Sequence, residues 1–324
     1  MERNVQIRFR MIPLFLAITL GLCGCQKQVA FENPYNFEKH LFQLEEDGSD
    51  GFSYSFASDL SAPGVSDNTD TVLDAEAAAV YEIGGTEVVF EQSALKRMNP
   101  ASTTKIMTAI VALKYGNLDD LVTVTEDAVI TESGSSMAGV KPGDVISLKD
   151  LLYGLMIPSG NDAANAIAVH IGGSIDEFVK MMNEEAHRIG ATGTNFNNAN
   201  GLTDPQHYTT AYDLYLMFNE ALKYDVFRTI IGAHAHNASY YDAAGNPLSA
   251  SWGVGNYYMN GKCETPEGLF VFGGKTGTTQ AAGYCLIMGS RTEDGREFAS
   301  VVMKSDSRNS LYDDMTEIIS KIDK

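Results

Sequence analysis

Ser102 and Lys105 stand three apart in Ser102-Thr103-Thr104-Lys105, on a stretch with apolar residues at helical spacing (Ile106, Met107, Ile110, Val111) and no breaker up to Tyr115. On a helix that spacing puts the alcohol and the amine on one face. Ser102 falls at the helix start, where free backbone N–H groups and the positive dipole end favour a developing anion. A serine hydroxyl needs a base to become a nucleophile, and a partly buried lysine of depressed pKa can act as one. That is acyl-transfer chemistry. Taken alone the signal is poor, because a Ser-x-x-Lys turns up by chance about once in a chain of this length.

Two further stretches share the pattern. Ser159-Gly160-Asn161 follows Pro158 between two predicted helices. It reads either as a loop presenting a hydroxyl and an amide to a cleft, or as a turn with Asn161 capping the next helix. Lys275-Thr276-Gly277-Thr278 follows Gly273-Gly274 at the end of an apolar strand. A strand edge flanked by a lysine can hold a carboxylate and pair with an extended peptide. Gly277 would let that peptide approach the backbone. The plainer reading is a strand end with a solvated lysine.

In this order the three stretches resemble the motif set of the penicillin-recognising serine enzymes: Ser-x-x-Lys, then a Ser-x-Asn triplet, then Lys-Thr-Gly. From about Asp74 onward the chain resembles the low-molecular-mass penicillin-binding proteins that act as serine-type D-Ala-D-Ala carboxypeptidases. Residues 98–109 are similar to that family's nucleophile helix and residues 151–164 to its second motif with flanks. Gly172-Gly173-Ser174, Phe178-Val179, Met182-Asn183 and Asn200-Gly201-Leu202 are similar to further landmarks. Gly160 stands where class A β-lactamases carry Asp, and Ser-Gly-Asn is common in the carboxypeptidases.

The resemblance implies an α+β, β-lactamase/penicillin-binding-protein-like fold: an antiparallel sheet flanked by helices, with an all-helical subdomain. It implies that Ser102 attacks the carbonyl between two terminal D-alanines and that Lys105 takes its proton. Ser159 relays a proton to the leaving amine, and Asn161 orders Lys105 and the substrate amide. Lys275 and Thr276 hold the terminal carboxylate or polarise Ser159. Gly277 and Thr278 complete the strand, with the amides of Ser102 and Thr278 forming the oxyanion hole. The implied partners are peptidoglycan stem peptides, with β-lactams as inhibitors, and no metal or organic cofactor is called for. Family members often carry an arginine near the start of the last helix; here the nearest is Arg308.

The rest of the chain has to position these groups. At 324 residues, 44% hydrophobic and 20% charged, it can bury a substantial core. A net charge of −19 and the lack of any basic run argue against nucleic acid as a partner. No obligate protein partner is indicated. The six histidines are scattered, and His234 and His236 have no third ligand nearby in sequence, so no metal site is expected.

Arg3, Arg8 and Arg10 precede an uncharged apolar stretch and then Leu22-Cys23-Gly24-Cys25, which together resemble a bacterial lipoprotein signal. The expected organisation is a signal peptide over residues 1–24, lipidation of Cys25, an acidic flexible linker over 25–70 and a catalytic domain over 71–324. The product would be extracytoplasmic and held to the membrane by its lipid. Cys263 and Cys285 read as buried free thiols, or as a pair if oxidised.

The periodicity predicts a hairpin over 77–91 about Gly84-Gly85. It predicts helices over 102–115, 148–156, 163–171, 175–189 and 211–224. Strands follow over 268–275, 284–290 and 298–304, with a closing helix over 311–322. Strands from both ends of the chain then share one sheet, with a helical insert between them.

A class A β-lactamase is the nearest rival. It requires a glutamate to activate the deacylating water, and Glu184 and Glu185 read instead as solvated helix residues. A lipoprotein that binds penicillin or wall peptides without turnover is the rival of a different class. A D,D-endopeptidase or weak transpeptidase would use the same residues.

Overall fold

The structure is a computed structural model that describes residues 60–64 and 71–323. Its main sheet has five strands in the order β2-β1-β9-β8-β7, all antiparallel. These are β1 (Ala77–Glu82), β2 (Val88–Gln92), β7 (Leu269–Thr279), β8 (Gly283–Thr292) and β9 (Glu297–Ser305). The first hairpin turns at Gly84, whose φ of +71° suits glycine.

β1 is Ala-Ala-Ala-Val-Tyr-Glu, a run without polar alternation, because both faces of the sheet are covered. Its odd residues Ala77, Ala79 and Tyr81 enter the larger core, and its even residues Ala78 and Val80 enter a smaller one. The smaller core is closed by α7 (Arg308–Ile319), which brings Leu311, Met315, Ile318 and Ile319 down on one face. That is the spacing of an amphipathic helix.

The larger core lies between the sheet and the helical part. Its centre is α1 (Lys105–Tyr115), buried all round from Ile106 to Ala112. Around it stand α2 (Leu148–Met156), α3 (Asn161–Gly172), α4 (Ile175–Arg188), α5 (Ala211–Ala221) and the short α6 (Asp225–Ile231). Ser147, Ser174, Thr210 and Ser307 cap α2, α4, α5 and α7, each side-chain oxygen accepting an amide three residues on. Such a cap contributes about 1 kcal/mol.

The helical part also carries a second sheet that periodicity did not predict. It runs β3-β4-β5-β6, from β3 (Leu121–Thr123), β4 (Val145–Ser147), β5 (Ala235–Tyr241) and β6 (Pro247–Gly253). Residues 60–64, inside the stretch expected to be linker, lie against the domain. Leu60 bridges Ile83, the Ser61 amide donates to the Tyr215 hydroxyl at 3.0 Å, and the Gly64 amide donates to Glu91. Cys25, the expected signal peptide and most of the linker fall outside the described residues. Among the described residues no helix is long and apolar enough to cross a membrane.

Candidate active site

Asn99 and Pro100 lead into a tight 3-10 turn, Ala101–Thr104, and only then into α1. The turn's carbonyls are taken by its own hydroxyls: Thr103 Oγ1 donates to Pro100 at 2.7 Å and Thr104 Oγ1 to Ala101 at 2.7 Å. Ala101 has a φ of +47°, a conformation that costs a non-glycine residue about 1–3 kcal/mol and persists only where surroundings impose it. In a 3-10 turn residues three apart eclipse, closer than on an α-helix. Ser102 Oγ accordingly lies 2.9 Å from Lys105 Nζ.

Lys105 is fully buried yet carries an amine. Nζ donates to Asn161 Oδ1 at 2.7 Å and to the Asn200 carbonyl at 2.5 Å, and meets Ser102 Oγ as its third partner. Burial, and then the charge of Lys275, push its pKa well below the ordinary lysine range, with Asp162 opposing. The neutral amine has two N–H groups and one lone pair. The two oxygens of Asn161 and Asn200 can only accept, so they take both N–H groups. The lone pair is left for the one partner that can donate, the Ser102 hydroxyl.

Ser159 sits between α2 and α3 at a φ of +64°. Its neighbour Gly160 has a φ of −59°, open to any residue, so glycine is there for space. A Cβ on Gly160 would stand 2.7 Å from both the amide nitrogen and the Cβ of Ala138. An aspartate in that place has no room. The loop that fills the space is fastened by Asp162, whose carboxylate accepts the amides of Ala138, Gly139 and Val140 at 2.8, 2.7 and 3.1 Å. Trp252 Nε1 donates to the Ala138 carbonyl at 2.9 Å, and the Asn161 amide donates to the Ser136 carbonyl at 2.9 Å.

Lys275, 2% exposed, donates to Ser159 Oγ at 2.9 Å and to the Thr276 carbonyl at 2.8 Å. Burial lowers its pKa to about 7. The strand does not end there but runs on through Thr279, with Thr278 exposed. Gly277 differs from expectation. A Cβ on it would stand 2.9 Å from the Ser102 amide nitrogen and 3.0 Å from the Pro100 carbonyl. What its missing side chain admits is the turn that carries Ser102.

The Lys105 amine therefore joins Ser102 and Asn161, the Lys275 amine reaches Ser159, and Gly277, two residues beyond Lys275, packs against the Ser102 backbone. Arg308 lies over the Tyr257 ring, 5.8 Å from the centroid, in a cluster where Tyr257 stacks on Tyr312.

Glu185 is not solvated. It is 2% exposed and meets Lys114 at 2.6 Å and Arg188 at 2.6 Å, while Glu184 is exposed. Cys263 and Cys285 are both free thiols, but only Cys285 is buried, Cys263 being half-buried, and burial pushes the Cys285 pKa up to about 11. Among the described residues no group of three His, Cys, Asp or Glu could hold a metal ion. Asn200, Asp162, His207 and Trp252 had not been singled out as functional. Only the Asn200-Gly201-Leu202 landmark hinted at the first of them.

The family model described as D-alanyl-D-alanine carboxypeptidase, peptidase S11, matches residues 64–307. The chain belongs to this family. Within the S11 carboxypeptidases it is 35% identical over 233 residues to D-alanyl-D-alanine carboxypeptidase DacF of Bacillus subtilis, covering 70% of this chain and 57% of the relative. It is 33% identical over 257 residues to DacC of Escherichia coli, covering 76% and 61%. The chain thus spans about three fifths of the length of these curated relatives. The D-alanyl-D-alanine carboxypeptidase of Streptomyces sp. strain K15 is matched more fully, at 32% identity over 72% of this chain and 81% of the relative. The crystal structure of the Streptomyces K15 DD-transpeptidase superposes with a TM-score of 0.72 at 30% identity, over 78% of this chain and 98% of that one. The antiparallel sheet flanked by helices is therefore the fold of this penicillin-binding-protein group.

Proposed function

We propose that this protein is a serine-type D-alanyl-D-alanine carboxypeptidase that removes the terminal D-alanine of peptidoglycan stem peptides through an acyl-enzyme on Ser102. One observation carries the reading: Lys105 Nζ faces two oxygens that only accept and one hydroxyl that can donate. A neutral Lys105 takes the Ser102 proton as Oγ attacks the carbonyl between the D-alanines. The negative charge that develops on that oxygen is met by the amides of Ser102 and Thr278. The Lys275 ammonium holds the terminal carboxylate together with Thr276, and also polarises Ser159. Ser159 relays to the leaving D-alanine amine the proton that Lys105 took from Ser102, so that Lys105 returns to its neutral state and Ser159 keeps its hydroxyl. Asn161 keeps Lys105 oriented and binds the substrate amide, and water then releases the shortened peptide. A β-lactam would acylate the same serine, its ring carbonyl standing in for the scissile one.

The class A β-lactamase reading is disfavoured by the lack of room for a side chain at Gly160 and by the engagement of Glu185 with Lys114 and Arg188. A transpeptidase reading shares the acyl-enzyme, with an amine replacing water, and is favoured by the likeness to the Streptomyces K15 DD-transpeptidase.

Mass spectrometry of the intact protein, with a peptide ending in D-Ala-D-Ala and separately with penicillin, tests the reading. A D-alanine-releasing enzyme with a penicillin adduct on Ser102 is expected. Added glycine or a diamine separates hydrolysis from transfer. Ser102→Ala should abolish both D-alanine release and the adduct, and an adduct that survives rejects Ser102 as nucleophile. We also propose extracytoplasmic placement with a lipid on Cys25. For that claim, Cys25→Ala should move the protein from the membrane fraction to the medium, and retention would rule it out.

A further inference from the structure

The nucleophile turn is braced from a side that acyl transfer does not touch. His207 is 1% exposed. Its Nδ1 accepts the Asn197 amide at 3.0 Å, and its Nε2 lies 2.8 Å from Thr104 Oγ1. The Thr104 hydroxyl donates its proton to the Ala101 carbonyl at 2.7 Å. Both ends of the ring require the same state: Nδ1 bare, Nε2 protonated and donating to Thr104. Burial holds the imidazole pKa down to about 4, with Asp204 opposing and Lys105 assisting, so the ring stays neutral. The backbone repeats the brace: the His207 carbonyl accepts from Asn99 Nδ2 at 3.4 Å, and Asn99 Oδ1 accepts the Ala101 amide at 3.0 Å.

The Ala101 carbonyl is thereby held in place. Gly201 packs so close that a Cβ there would sit 1.9 Å from this oxygen. The Ala101 carbonyl and the Ser102 N–H belong to one trans peptide plane and point in opposite directions. Holding the carbonyl fixes the aim of the N–H, and Gly277 packs against that same nitrogen.

We propose that His207 is a positioning residue for acyl transfer: through the Thr104 hydroxyl it sets the Ala101–Ser102 peptide plane so that the Ser102 N–H faces the developing oxyanion. The proposal rests on the acyl-enzyme reading above. An N–H turned away from the oxyanion harms the transition state more than the ground state, so the cost falls on the acylation rate rather than on substrate binding.

The test measures acylation by penicillin and D-alanine release in His207→Leu, His207→Gln, Thr104→Val, Thr104→Ser and the double variant H207L/T104V, each checked for folding by its melting transition. Thr104→Val preserves shape, so it keeps the test valid if His207→Leu does not fold. Removing an oxyanion donor outright costs about a hundredfold or more, and a misaimed one should cost about tenfold to a hundredfold. Thr104→Val and His207→Leu are each expected to lower the acylation rate by that much, with KM within about threefold of the parent. The double variant should be no slower than the worse single one, because both act through one hydrogen bond. Thr104→Ser and His207→Gln, which keep the hydroxyl and an N–H donor, should recover to within about threefold. A folded Thr104→Val that acylates within threefold of the parent overturns the proposal, as do losses that multiply in the double variant. The underlying reading fails separately, if Ser102→Ala still forms the penicillin adduct.

Discussion

Lys275 Nζ donates to Ser159 Oγ across 2.9 Å, so the strand's cation and the second motif's hydroxyl form one unit. Burial sets the Lys275 pKa at about 7, and its charge is present below that pH and lost above it. Lys105, pushed well below its ordinary range, has to be neutral for the same reaction. The pH profile of kcat/KM for acylation should therefore fall near pH 7 as Lys275 loses its proton. Lys275→Arg keeps its charge throughout and should remove the alkaline limb. An unchanged limb in that variant would assign it to another group.

Gly160→Ala tests the space beside the second motif. The backbone there tolerates any residue, so the cost is steric, from contact with Ala138 and with Asp162 Oδ1 at 2.8 Å. Overpacking of this kind destabilises by about 1–3 kcal/mol. Chemical denaturation should show that loss, and acylation by penicillin should slow with it. Unchanged stability would mean that the Ala138 loop yields freely.

Asp162→Asn replaces one oxygen of a carboxylate that accepts three loop amides with a group that donates. Leaving a buried amide unsatisfied costs about 1–3 kcal/mol. Trp252, the chain's only tryptophan, donates to the Ala138 carbonyl and reports on the same loop by its fluorescence. A red-shifted emission together with lower stability is the expected result. Native emission and native stability would show that the loop is held by other contacts.

Glu185→Gln separates a structural carboxylate from one that activates water. Burial alone would raise its pKa, but Arg188 and Lys114 hold it below the ordinary value. Those partners are exposed enough to resolvate, so a loss of about 1–3 kcal/mol is expected, short of the figure for a fully buried pair. Deacylation of the penicillin adduct, followed by mass spectrometry, should keep the parent rate. A stalled adduct would revive the class A β-lactamase reading.

The main sheet was legible in the sequence because its apolar runs are long and its turns carry glycine. The second sheet was not. β3 and β4 are three residues each, and β5 is Ala-His-Asn-Ala-Ser-Tyr-Tyr, whose buried positions are marked by no apolar period. The paired groups of the site were legible where chemistry sits in side chains: Ser102, Lys105, Ser159, Asn161 and Lys275. Asn200 escaped because it acts through its backbone carbonyl, which every residue owns. His207 escaped because its partner, Thr104, looked like filler between the motif's two named positions. Gly277 was marked for closeness, but the neighbour it admits lies far away in sequence.

β1 has its neighbour β9 near the other end of the chain, with Ala78 opposite Val302. A chain made from its N-terminus holds the first hairpin open on one side until the last strand, β9, has been produced. Pairings of such long sequence separation close slowly. The wall that Gly277 lays against Ser102 belongs to the same late part of the chain. Chains that stop short of this strand thus lack the surface that packs against the Ser102 backbone, and the surroundings of Ser102 are set only after β7 has been made.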